Sequence, residues 1–154
     1  MGKITIRMSQ EADILPIARF MREQDQIELK RSHGTKPYVS LKRSKRMSVL
    51  CWTMCEDDFP IAMFGASPMG LLSNQAFIWF LGTDRVKANA KSFMKLTPIY
   101  VNRMLQSWPY LTNTVDPENT FAVRYLKRVG FTFKEKTVKT PKGYDFLEFY
   151  KERK

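Results

Sequence analysis

The thiol and imidazole metal ligands of this 154-residue chain are Cys51, Cys55 and His33. On a strand, residues four apart share a face but stand roughly 13 Å apart, beyond the reach of a disulfide. Two thiols and one imidazole also fall short of a four-ligand zinc site unless carboxylates join them. The cysteines therefore read as reduced, buried, small apolar side chains, His33 reads as a surface residue at a helix end, and no metal is expected. Phosphate chemistry is better supplied. There are 26 Lys plus Arg against 15 Asp plus Glu, a formal net charge of +11. Such a field attracts nucleic acid, a nucleotide cofactor or an anionic surface, and serves solubility equally well. The densest run is Lys42, Arg43, Lys45 and Arg46. Further patches are Arg124, Lys127 and Arg128, then Lys134, Lys136, Lys139 and Lys142, with Tyr38 and Phe133 as rings on which bases stack. No helix-turn-helix, zinc-finger or RNA-binding signature accompanies them.

The elements that must position these groups read as one domain, residues 1–154. A 44% hydrophobic and 13% aromatic composition supports a sizeable core and argues against disorder. No apolar run is long enough to span a bilayer. The stretch MGKITIRMSQ lacks a secretory signal's apolar core, and Ile6 stands where myristoylation needs Ser or Thr. The expectation is an intracellular protein without a membrane partner. Lys3 to Met8 alternates as a strand should. Ser9 is placed to cap a helix carrying Ile14, Ile17, Ala18, Met21 and Ile27, with Pro16 in its first turns. Gly34 ends it in a left-handed turn. Lys36 to Arg46 reads as a short helix or loop, Met47 to Cys55 and Phe59 to Ala66 as a hairpin turning at Glu56-Asp57-Asp58. The continuous apolar run from Ala76 to Leu81 predicts a strand buried on both faces. Lys87 to Trp108 is helical, with Pro98 kinking or splitting it. Tyr110 to Val115 is a strand and Pro117 to Val129 a helix closed by Gly130. Phe131 to Val138 and Tyr144 to Tyr150 complete the chain as two strands. This order predicts an α+β, mixed-sheet fold.

The order, together with VDPENTFAVRYLKRVGF, resembles the GNAT N-acetyltransferases. Val115, Asn119, Ala122, Gly130 and Phe131 stand where that family's fourth helix needs them. Asn119 braces a splayed strand end, Ala122 allows close packing on the sheet, and Gly130 takes the left-handed turn. A narrower likeness rests on Asn113, Val115, Asn119, Thr120, Arg124, Leu126, Lys127 and Gly130. It is to the small GNAT-like proteins of tailed phages, such as the internal virion protein A family of T7-like phages. The resemblance implies a central mixed sheet of six to seven strands flanked by about four helices, with acetyl-CoA as cofactor. It further implies a place in the host cytoplasm or the phage virion, with a virion or host protein as partner.

The cofactor-binding set implied by the resemblance is Leu81, Thr83, Arg85, Lys87, Ala88, Asn89, Ala90 and Asn119. Arg85 to Ala90 falls on the family's pyrophosphate cradle, where N–H groups at a helix start hold phosphate. Ala88 replaces the cradle's first glycine, and its methyl restricts close approach; Lys87, Lys91 and Lys95 are placed to compensate. The family also needs a base for the amine proton. The strand from Phe77 to Leu81 has no carboxylate, which leaves Asp84, Glu56 and Asp57 as candidates or as plain loop charges. Its thiolate acid is a tyrosine four residues before the helix-ending glycine, here Leu126. Tyr125 is adjacent, but one helical step of about 100° predicts that it faces elsewhere; Tyr100, Tyr110 and Tyr144 are remoter substitutes. Two functions follow: an N-acetyltransferase with a divergent site, or a non-catalytic virion or infection-stage protein that binds protein or nucleic acid.

Overall fold

The computed structural model describes residues 2–154. Alternating and apolar runs form seven strands of one sheet: β1 (Ile4–Met8), β2 (Leu50–Glu56), β3 (Phe59–Pro68), β4 (Gln75–Gly82), β5 (Tyr110–Val115), β6 (Thr132–Lys139) and β7 (Asp145–Glu152). Their spatial order is β1-β2-β3-β4-β5-β7-β6. Every neighbour pair is antiparallel except β4 and β5. The β2–β3 hairpin turns on Asp57 and Asp58, both at positive φ (49° and 68°), the hand that matches strand twist.

Helices α1 (Ile14–Arg19), α2 (Glu23–Ser32) and α3 (Pro37–Met47) cover one face of the sheet. There Ile14, Ile17, Met21 and Leu41 pack on Cys51, Met63 and Leu81. Helices α4 (Asp84–Ala88), α5 (Ala90–Ser107) and α6 (Thr120–Val129) cover the other. The larger core lies beneath them, with Trp52, Phe64, Val101, Met104, Leu111 and Phe149 among its buried members. Cys51 and Cys55 are buried and unbridged. Gly34 and Gly130 take the left-handed conformation (φ 72° and 102°) that ends α2 and α6.

Three sequence expectations give way to tertiary structure. The first helix does not run on from Ser9. A short 3-10 turn (Glu11–Asp13) precedes α1, and the chain breaks again before α2. At that break Met21 bridges to Thr83, and the Arg22 N–H donates to the Gly82 carbonyl at 2.9 Å. The strand end thus draws peptide groups out of the helix, and six α-helices replace the expected four. Next, the helix after β4 breaks at Asn89, not at Pro98. Thr83 caps α4 by accepting from the Arg85 N–H, and the Asn89 side chain closes it by donating to the Arg85 carbonyl at 2.8 Å. Pro98 lies inside an unbroken α5. Finally, the β4 run is not buried on both faces: Phe77 is exposed, and Ile78, Trp79 and Phe80 are half-buried. Beyond Phe77 the strand keeps β3 on one edge but has lost β5 on the other.

Candidate functional site

Strands β4 and β5 pair over three residues only, Gln75–Phe77 against Tyr110–Thr112, and then diverge. A cavity of about 270 Å³ occupies the resulting V. Leu29, Trp79 and Phe146 line it from one face of the sheet; Phe80, Phe93, Thr97 and Val101 line it from the other. Arg22, Asp25, Glu28 and Asn119 form its polar side.

The edge of β4 that faces this V is largely occupied by the chain itself. Asn113 Nδ2, on β5, donates to the Ile78 carbonyl at 2.7 Å. The Gly82 N–H donates to Asp25 Oδ2 at 3.0 Å, and the Gly82 carbonyl accepts from Arg22. Peptide groups alternate between the two edges of a strand, so Phe80 is left as the residue of this edge between those two partners.

The polar side is a network built from α2. Asp25 and Glu28, three apart on α2, share a helix face, and Arg22 stands just before its first turn. Arg22 pairs with Asp25 at 3.1 Å and reaches Asn119 Oδ1 at 3.4 Å. Its guanidinium also lies over the Phe121 ring, 5.0 Å from the centroid. Asn119 Nδ2 donates to Asp25 Oδ1 and Glu28 Oε1 at 3.2 and 3.3 Å. Glu28 accepts the Asp116 N–H at 3.0 Å, and Arg31 pairs with Asp116 at 3.0 Å and with Glu118. Burial pushes the Glu28 carboxyl up to about 7, with repulsion from Asp25 and Asp116 adding to it against the hydrogen bonds it accepts. Burial also raises Asp25, although Arg22 and the Gly82 N–H pull the other way.

The residues singled out from the sequence fall into separate places. Leu81 is buried behind the cavity, and Asn119 is 1% exposed, its side chain in the network instead of capping α6. Thr83 caps α4 and donates to the Ile61 carbonyl at 3.0 Å. Arg85 points away from the V: its Nε and Nη2 donate to the two oxygens of Glu56 at 2.7 and 2.8 Å. Asn89 donates to the same carboxylate at 3.0 Å. Held mainly by Arg85 and then Asn89, Glu56 is pulled down to about 2. Lys87, Ala88, Asp84 and Asp57 are exposed, and Ala90 opens α5 half-buried. Contrary to the one-step rotation argument, Tyr125 and Leu126 both face the cavity. The arc of α6 along it is wide enough to include Phe121 and Ala122 as well. The Tyr125 hydroxyl donates to Thr97 Oγ1 at 2.5 Å, and burial pushes it up to about 12.

Tyr100 packs on Trp52, Tyr110 stacks on Tyr150, and Tyr144 lies beneath Arg31. Lys42, Arg43, Lys45 and Arg46 sit on α3, where Lys42 and Lys45 approach Glu11 at 3.7 and 3.6 Å. Among the described residues no group of three or more His, Cys, Asp and Glu is placed to hold a metal ion. No helix among them is long and apolar enough to cross a membrane. Sequence reasoning missed Arg22, Asp25, Glu28, Arg31 and Asp116. The available signal was the three-residue spacing of Arg22, Asp25 and Glu28, which lies alongside apolar Met21 and Leu29.

The family model described as bacteriophage T7, probable scaffold protein Gp13, matches residues 61–137, which is 77 of the 154 residues. The chain belongs to that phage family. The matched span runs from β3 through the V and α6 into β6, so it contains both strands that diverge and the three helices α4, α5 and α6 on that face. Solved structures place this phage protein in the GNAT acyltransferase fold. Spermidine N-acetyltransferase from Vibrio cholerae, in complex with CoA and spermine, superposes with a TM-score of 0.71 at 11% identity, covering 97% of this chain and 95% of that one. The ribosomal-protein-S5-alanine acetyltransferase from Vibrio fischeri gives 0.69 at 11% identity over 99% and 94%. The aminoglycoside acetyltransferase AAC(6')-Ib in complex with coenzyme A gives 0.69 at 17% identity over 98% and 95%. No curated protein sequence matches the chain.

Proposed function

We propose that this phage protein is a non-catalytic member of the GNAT fold, a virion or infection-stage component that acts by binding. The observation that carries this reading is the self-occupied edge of β4. An acyl-CoA arm entering between splayed strands needs that edge to pair its amides. Here Asn113, Asp25 and Arg22 already hold Ile78 and Gly82, and Phe80 alone is a poor substitute for a strand-length lane. The residues of the cradle do not fit phosphate any better. Arg85 and Asn89 are committed to Glu56, and Ala88 has a methyl where the fold's cofactor loop has glycine. Glu56, at about 2, is a weak base, and Tyr125, at about 12 and bonded to Thr97, is a weak acid. The family's description as a probable scaffold protein points toward assembly in preference to chemistry.

One observation favours the other reading, a divergent N-acetyltransferase. Glu28, near neutrality, lines the same cavity as Tyr125, and a carboxyl of that kind is suited to taking an amine proton. Calorimetry with acetyl-CoA and CoA separates the two. No heat of binding is expected up to high micromolar cofactor; saturable binding at low micromolar concentration would overturn the non-catalytic role. The binding half is tested by fractionating infected cells. The protein is expected with assembling particles or bound to a virion or host protein, and its absence from both would end that reading.

A further inference from the structure

Helices α5 and α6 carry Lys91, Lys95, Arg103, Arg124, Lys127 and Arg128 and not one carboxylate. All six cations are exposed. Among the described residues none of them is within ion-pair distance of an acid. The opposite helical layer is mixed: α2 alone carries Glu23, Asp25 and Glu28. Lys91–Lys95 and Arg124–Arg128 are like-charge pairs four apart, an arrangement that weakens a helix. Lys127 and Arg128 favour the C-terminal end of α6, and Arg103 and Lys127 lie over Tyr100 and Phe133, but Lys91, Lys95 and Arg124 have no ionic partner among the described residues, so their use is sought outside the chain.

The face also has a shape. Between α5 and α6, Lys91, Lys95 and Arg128 border a groove floored by Met94, Pro98 and Val129. Ile99, half exposed at 51%, extends the apolar strip along α5. Lys91, Lys95, Ile99 and Arg103 follow one another at four-residue spacing and form a line about 18 Å long.

We propose that this groove docks an acidic amphipathic helix of a partner protein. Its apolar stripe would cover Met94, Pro98, Val129 and Ile99, and its carboxylates would meet Lys91, Lys95 and Arg128, the helix-in-groove mode of recognition. A nucleic acid matches the charge but not the floor. Its phosphates have no apolar face to lay on Met94 and Val129, and the groove offers no aromatic ring for a base to stack on. The inference names the partner of the binding role proposed above and rests on that reading.

The test uses the isotope-labelled full chain and three probes. These are a synthetic helix of leucines and glutamates as long as α5 (18 residues), duplex DNA of similar length, and CoA. The peptide is expected to shift the NMR signals of Met94, Lys95 and Val129. K95E/R128E should weaken it at least roughly tenfold, as loss of two charge-assisted contacts implies, whereas K42E/R43E on α3 should change it by less than about twofold. An unperturbed groove, equal effects of the two double variants, or tighter binding of the duplex at these residues would each overturn the proposal. Those failures leave the non-catalytic reading standing. CoA bound in the V would instead overturn that reading, whatever the peptide does at the groove.

Discussion

Replacing Glu28 with Gln should stabilise this protein, and only at high pH. In the fold, burial lifts the Glu28 carboxyl from its ordinary 4.5 to about 7. The folded state therefore binds this proton more tightly than the unfolded chain does. Stability from the neutral carboxyl is present in full below about pH 4.5 and is lost as pH rises through about 7. At about 1.4 kcal/mol per unit of pKa, the gap sets a ceiling of about 3 kcal/mol on the cost of ionising Glu28. The side chain keeps some solvent contact at the cavity, so about 1–2 kcal/mol is the working expectation. Glutamine retains an oxygen to accept from the Asp116 N–H and Asn119 but never ionises beside Asp25. Urea unfolding followed by tryptophan fluorescence, at about pH 4 and about pH 8.5, measures the difference by linear extrapolation. E28Q should match the parent at the lower pH and exceed it by about 1–2 kcal/mol at the higher. An equal difference at both values, or a variant less stable at high pH, would refute the burial argument for this carboxyl.

Two further perturbations probe the same architecture. Asp25→Ala removes the charged partner of a buried guanidinium and leaves Arg22 with Asn119 at 3.4 Å and the Phe121 ring, so it should cost about 3–5 kcal/mol. The apolar pair R22M/D25L should recover only part of that in the same urea assay, because the Gly82 N–H and Asn119 still lose their acceptor, and a D25A loss below about 1 kcal/mol would contradict a buried pair. Gly130→Ala forces a Cβ onto a residue at φ 102° and against the Lys151 ammonium. A loss of about 1–2 kcal/mol, seen as a lower melting temperature, is expected.

Local patterning made much of the fold legible. Tyr110–Val115 appears where its β-branched and aromatic residues place it, and Gly34 and Gly130 end their helices because no other residue sits as cheaply at positive φ. What escaped was decided by contacts remote in sequence. The break before α2 depends on Gly82 and Thr83, about sixty residues away. Proline is the stronger breaker in isolation, yet the helix ends at Asn89 because Glu56 and the Arg85 carbonyl hold its side chain. The site was less legible than the fold for the same reason. Asp25 and Asn119 meet across 94 positions, and along the local sequence alone Arg22, Asp25 and Glu28 look like ordinary solvated charges. Glu56 and Arg85 were both visible as candidates; that they neutralise each other was not, because only the folded sheet brings the β2–β3 turn beside α4.

The three-residue seam between β4 and β5 has a mechanical consequence. The four strands β1 to β4 and the three strands β5, β7 and β6 are two panels joined at one end of a parallel pair. Parallel bonds confined to one end are loaded in peel, one after another, and not in shear, all together. Within the seam, a force that opened the V would load the Asn113–Ile78 bond before the Phe77–Thr112 pair. Helix α2 straps the far side, holding Gly82 on one panel and Asn119, just past the end of the other, through Asp25. Asp25 thus serves as a latch across the fold's weakest line, and the two panels should come apart along that line before either one unravels.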